Sequence, residues 1–134
     1  MTPVLSEAMR AVLSQPLIAR LGVIDADGYP HTVPLWFLLD GDDILITSFR
    51  DTRKVDHLRR NPRASLVVGG DALQWEGYMI KGEVTIEDDP GHAFMRRITH
   101  VYEPHDEAEA HLAEWTQQPA VMLRLKPRKA SRVY

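Results

Sequence analysis

The chain contains no cysteine in its 134 residues. Disulfides, thiolate metal sites and a cysteine nucleophile are thereby excluded, and the composition fits a cytoplasmic protein. No uninterrupted apolar run approaches the roughly 20 residues that a membrane span needs. Met1 to Ser14 carries Glu7 and Arg10 inside its apolar pattern, so no signal peptide is expected. His31, His57, His92, His100, His105 and His111 lack His-Glu-x-x-His spacing, and no metal site is expected of them. Gly69-Gly70 is not followed by the Lys-Ser/Thr of a nucleoside-triphosphate loop. Neither Ser48 nor Ser131 sits in the glycine-flanked elbow of a serine hydrolase. An overall positive charge is also missing, since the net charge is -3. Nucleic acid and anionic membranes are therefore not expected partners.

The charge that is present is uneven. Arg50, Arg53, Lys54, Arg59, Arg60 and Arg63 outweigh Asp51 and Asp56, whereas 103–114 holds Glu103, Asp106, Glu107, Glu109 and Glu114 with no Lys or Arg. Arg124, Lys126, Arg128, Lys129 and Arg132 make the end of the sequence basic again. Such blocks meet across a subunit interface or simply face water. A hydrophobic content of 44% over this length suits one domain, 1–134, with a real core.

Hydrophobic periodicity predicts a short amphipathic helix over Leu5 to Ser14, capped by Ser6 or Thr2. Strands follow over Leu17 to Ile24 and His31 to Leu39, joined by the Asp25-Ala26-Asp27-Gly28 turn. Pro34 interrupts the second strand and, lacking an N–H, belongs at a sheet edge, a bulge or a ligand-facing opening. Asp40 to Asp43 is a second turn, before a strand over Ile44 to Thr47. A helix spans Thr52 to Arg60 and stops at Asn61-Pro62. Ala64 to Val68 is a strand, and Tyr78 to Glu87 alternates as a half-buried one. Asp89-Pro90 opens a helix through about Tyr102, and Asp106 to Gln117 forms another. Ala120 to Lys126 is a late strand, with Ser131 to Tyr134 a candidate for one more. The expectation is a mainly β protein of six antiparallel strands closing as a small barrel, with helices inserted between them.

The most informative stretch is Thr47-Ser48-Phe49-Arg50-Asp51-Thr52-Arg53-Lys54. A strand runs into a helix whose first turn carries two cations. A helix N-terminus presents unpaired N–H groups and the positive end of its dipole. Arg53 and Lys54 add full charges, and the hydroxyls of Thr47, Ser48 and Thr52 add donors. Together they suit a phosphate group. The same residues also fit an ordinary solvated basic helix start, and the Asp51 carboxylate could cap the same N–H groups. Trp36, beside Pro34, and Trp75, ahead of a strand, are candidate walls for a flat cofactor; these two and Trp115 also fit a core role.

Gly22 to Gly28, Pro30 to Phe37, Asp40-Gly41-Asp42, the strand into Thr47-Ser48, and Thr52-Arg53-Lys54 with Leu58, Asn61 and Pro62 resemble the pyridoxamine-phosphate-oxidase-like flavin-binding split-barrel proteins. The resemblance covers most of 17–87 and the strand ending Leu125-Lys126-Pro127. It implies a six-stranded antiparallel split barrel that binds FMN. By resemblance, Thr47, Ser48, Thr52, Arg53 and Lys54 hold the phosphate, while Val33, Pro34, Leu35 and Trp36 line the isoalloxazine ring. It also implies a homodimer with the cofactor at the subunit interface. The longer oxidases carry a further C-terminal segment for the substrate phosphate, and this sequence ends at Tyr134, so another substrate is expected. Short relatives use an 8-hydroxy-5-deazaflavin coenzyme instead of FMN. The implied activity is that of a flavin- or deazaflavin-dependent oxidoreductase moving hydride to or from a small organic substrate. The alternative is a non-catalytic carrier of a flavin or a tetrapyrrole.

Overall fold

The computed structural model describes residues 3–134. Its elements run α1 (Glu7–Leu13), β1 (Ala19–Ile24), β2 (Pro30–Leu35), β3 (Leu38–Asp40), β4 (Asp43–Phe49), α2 (Arg53–Arg60), β5 (Arg63–Val68) and β6 (Tyr78–Asp88). After a 3-10 turn at Pro90–His92 come α3 (Ala93–Tyr102), α4 (His105–Trp115) and β7 (Ala120–Arg132). One sheet takes the order β2-β1-β5-β6-β7-β4-β3, and every neighbouring pair is antiparallel. β2 and β3 are the opposite edges of that order, yet only Trp36 and Phe37 separate them in sequence. The three Cα–Cα steps from Leu35 to Leu38 span at most about 11 Å, so the sheet curls until its edges approach. This is the split barrel that the sequence implied.

The sheet has seven strands rather than six. The expected strand from His31 to Leu39 divides at Trp36, because barrel closure sends its two halves to opposite edges. Pro34 thus lies on an edge strand, paired on one side only, where a residue without an N–H is tolerated. A second correction concerns β7. It continues to Arg132 where a break after Lys126 was expected. Arg128 is the extra residue of a bulge that pairs Lys81 with Lys129 and Gly82 with Pro127, and a bulge accommodates proline. Gly82 is needed there, since a Cβ would stand 2.0 Å from the Lys126 carbonyl oxygen.

The barrel interior is filled by alternate residues of the strands, among them Leu21, Ile44, Ile46, Leu66, Ile80, Leu123 and Leu125. Val55 and Leu58 of α2 and Val12 and Leu13 of α1 close it. Ser6 caps α1, its hydroxyl accepting the Met9 N–H at 3.2 Å; Thr2, the other cap considered, lies outside the described residues.

α3 begins three residues later than its proline suggested. Gly91 and His92 take left-handed φ values of 65° and 55°, and the buried Asp89 carboxylate accepts the Phe94 and Met95 N–H groups at 2.8 and 3.0 Å. Phe94 and Ile98 of α3 then cover Leu45 on the outer face of β4. Helices thus bury β4 on the face opposite the barrel interior. Arg124 ties the same region together from β7, bonding Glu87 of β6 at 2.6 Å and Asp43 of β4 at 3.0 Å. Among the described residues, no helix is long and apolar enough to cross a membrane.

Candidate functional site

Where β2 turns toward β3, a cleft of about 440 Å³ opens. Pro34, Leu35 and Trp36 form one side, and Thr47, Ser48 and Phe49 at the end of β4 form the floor. Ile18, Met95 and Trp115 close the far side, and Lys54 supplies its charged end. The volume lies in the usual range for small-molecule and cofactor sites.

The polar end follows from the strand–helix junction. Alternation along β4 puts Ile44 and Ile46 inside the barrel and turns Thr47 toward the α3 side. Thr47 Oγ1 is buried and has no hydrogen-bond partner among the described residues. A buried hydroxyl without a partner costs free energy, and here it borders a cleft. The Ser48 and Thr52 hydroxyls stand 3.3 Å apart, and both reach the Phe49 carbonyl, at 2.9 and 3.3 Å. Thr52 is the N-cap of α2, but its side chain makes no capping hydrogen bond, and among the described residues no other side chain takes its place. The Asp51 carboxylate, a competitor for those N–H groups on sequence grounds, does not take them. Lys54 lines the cleft, and among the described residues no carboxylate pairs with it. Burial alone pushes its ammonium below the usual lysine range. A desolvated cation, an orphaned hydroxyl and an uncapped helix end therefore converge within one short segment.

The apolar end is aromatic. Trp36 stacks on Tyr102 with ring centroids 4.9 Å apart and meets Trp115 at 6.1 Å and 60°. Tyr102 is a clasp: its hydroxyl accepts the Phe37 N–H at 3.2 Å and lies 2.8 and 2.9 Å from the Leu17 and Phe37 carbonyls. It ties α3 to the chain entering β1 and to the corner between β2 and β3. Burial raises its phenol above the ordinary tyrosine range, against a smaller opposing effect of the backbone bond to Phe37.

Pro34, Leu35, Trp36, Thr47, Ser48 and Lys54 are thus brought together from the residues singled out by sequence. The remaining four stand elsewhere. Val33 shares its strand face with Leu35 and packs against the barrel core, but it does not line the cleft. Thr52 sits behind Ser48, and Arg53 is exposed at the start of α2. Trp75 is 69% exposed, in a loop where it meets the Tyr134 ring at 4.9 Å, and it does not line the cleft. Sequence reasoning missed Ile18, Phe49, Met95 and Trp115, the last of which it considered only for the core. Met95 and Trp115 arrive on helices inserted between β6 and β7, and nothing in their local pattern marks a ligand wall.

Solved structures of similar fold are many. A protein named F420 reductase superposes with a TM-score of 0.78 at 24% identity, covering 95% of this chain and 98% of that one. A conserved hypothetical protein from Mycobacterium tuberculosis gives 0.72 at 22% identity, covering 96% and 84%. A Listeria innocua protein provisionally assigned as a pyridoxamine 5'-phosphate oxidase gives 0.73 at 20% identity, covering 95% and 96%. At these identities the likeness establishes a shared fold. No curated protein matches the sequence significantly. The profile of the family described as Pyridoxamine 5'-phosphate oxidase matches residues 5–134, and with the split barrel and its cleft the chain belongs to that family.

Proposed function

We propose that the cleft binds FMN and that the protein is an oxidoreductase acting on a small organic substrate. The observation that carries this reading is the polar end of the cleft. Thr47 Oγ1 lacks a partner, Lys54 is desolvated without a counter-ion, and α2 is uncapped beside them. A phosphate would satisfy all three at once. The apolar end suits a flat ring. Pro34 offers no N–H to block approach along the strand edge, and the indoles of Trp36 and Trp115 would flank the ring and exclude water.

When bound, the flavin supplies the hydride chemistry. The chain's own work is binding and orientation. Lys54 offsets phosphate charge, the Thr47 hydroxyl donates to a phosphate oxygen, and Trp36 and Trp115 fix the plane of the ring. The likeness to a protein named F420 reductase favours a second reading, in which the occupant is the 8-hydroxy-5-deazaflavin coenzyme.

The family reading also implies a homodimer with the cofactor between subunits. Leu73, Trp75 and Tyr134, 81%, 69% and 54% exposed, offer an apolar patch of the kind such contacts cover. Trp75 would reach a cofactor only across that contact. The deciding experiment is the absorbance spectrum of the purified protein mixed with FMN or with the deazaflavin coenzyme. A shifted, structured flavin band is expected with the true occupant, and bleaching on addition of substrate separates enzyme from carrier. A band that stays that of free cofactor in both mixtures overturns the proposal.

A further inference from the structure

The cleft wall formed by Trp115 has a support that takes no part in the phosphate end. His111 and Trp115 lie four residues apart on α4, which places them on one face of the helix. Their rings are stacked, with centroids 4.6 Å apart and planes within 2°. Behind the imidazole stands Glu103, the residue that ends α3. Its carboxylate lies 2.7 Å from His111 Nδ1. The Glu103 side chain is 14% exposed, whereas that of His111 is 45% exposed.

An exposed histidine ordinarily samples several rotamers. This one is held on two sides. Glu103 accepts the Nδ1 proton and so sets both the tautomer and the ring plane. The imidazole plane then lies flat on the indole of Trp115, the residue that lines the cleft. Glu103 is itself tied in place, because a mostly buried carboxylate keeps its hydrogen-bonded partner.

We infer that Glu103 and His111 are positioning residues that lock the Trp115 indole as a fixed wall of the cleft for a flat ring ligand. The binding part of this inference rests on the flavin reading; the locking of Trp115 does not. Free rotation of Trp115 would break its tilted contact with Trp36, now 6.1 Å between ring centroids, and reshape the cleft wall. Prior ordering of the wall lowers the cost of ordering it on binding.

The test uses His111→Ala, His111→Phe and Glu103→Gln in the full chain, with FMN as the probe. Near-ultraviolet circular dichroism of the ligand-free protein reads the fixed geometry of Trp36 and Trp115. In His111→Ala that signal should shrink, and the FMN dissociation constant should rise about fivefold, the scale of one aromatic pair. His111→Phe keeps the stacked ring and should restore both readouts. Glu103→Gln keeps an acceptor and should fall between them. An unchanged tryptophan signal in His111→Ala overturns the inference, as does an affinity loss that His111→Phe leaves uncorrected. If the wild-type protein fails to bind FMN, the flavin reading fails, and the dichroism alone still decides whether His111 locks Trp115.

Discussion

Trp36 and Tyr102 stack face to face, with ring centroids 4.9 Å apart and planes 14° apart, although 65 residues separate Phe37 from the same tyrosine. The contact joins the corner where the sheet splits to the helix that covers β4. The wall of the cleft and the closure of the barrel therefore depend on one side chain.

Tyr102→Phe keeps the ring and removes the hydroxyl. The Phe37 N–H then loses its partner, and the Leu17 and Phe37 carbonyls lose a nearby donor. A destabilisation of about 1–3 kcal/mol is expected from orphaning such a group. Urea unfolding followed by far-ultraviolet dichroism measures it. A variant as stable as the parent would show that the clasp contributes nothing net.

Lys54→Ala should weaken FMN binding by roughly 1.5–3 kcal/mol, as for a hydrogen bond to a charged group, and leave riboflavin, which has no phosphate, nearly unaffected. The lowered lysine value gives the pH dependence its sign. Protonated Lys54 favours the phosphate dianion, so affinity declines from its neutral-pH level as pH rises through a value below the usual lysine range. Titrations of both ligands across pH check this, and equal losses for FMN and riboflavin would remove Lys54 from the phosphate.

Two tryptophans line the cleft and a third stands clear of it. Bound FMN should quench Trp36 and Trp115, which line the cleft, more strongly than Trp75, which does not. Trp36→Phe should reduce the quenched fraction without abolishing it, because Trp115 remains. It should keep the fold, since a large aromatic ring still faces Tyr102. A fluorescence titration paired with a thermal melt reads both. Unchanged quenching together with lower stability would assign Trp36 to the core alone.

Arg124 holds the Glu87 carboxyl below the usual glutamate range, chiefly by their hydrogen bond. A carboxylate lowered in the folded state adds stability that is complete above its unfolded value of about 4.3 and is lost as pH falls toward the folded one. The pair is partly exposed, so the effect is screened. Arg124→Gln should flatten the pH dependence of the urea midpoint below about pH 4.3. Parallel curves for the two proteins across that range would refute the linkage.

Gly82→Ala should destabilise by about 1–3 kcal/mol, the usual cost of overpacking, because its Cβ would fall 2.0 Å from the Lys126 carbonyl oxygen. The bulge in β7 must then shift or open. Hydrogen exchange at Lys81 to Glu83 and Lys126 to Lys129 would report it, and unaltered protection there would contradict the assigned close approach.

The sequence by itself determined what is local. Asp25 to Gly28 turns because the Asp25 carboxylate accepts the Asp27 and Tyr29 N–H groups, each at 2.9 Å, and because Gly28 takes a φ of 86°. β6 alternates between buried and wet faces as its pattern implied. Thr47, Ser48 and Lys54 share a cleft because a strand end and the helix start after it are neighbours along the chain. Contacts between distant segments were decided only in three dimensions. The division at Trp36 follows from closing seven strands into a curled sheet, and no local propensity records it. The run of β7 through Pro127 depends on a bulge opposite Gly82. Met95 and Trp115 become a cleft wall because Phe94 and Ile98 must bury their apolar surface on Leu45, and that choice sets α3 and α4 down beside the end of β4. Burial of apolar surface is non-directional, so the sequence marked those side chains as buried without saying which surface would cover them.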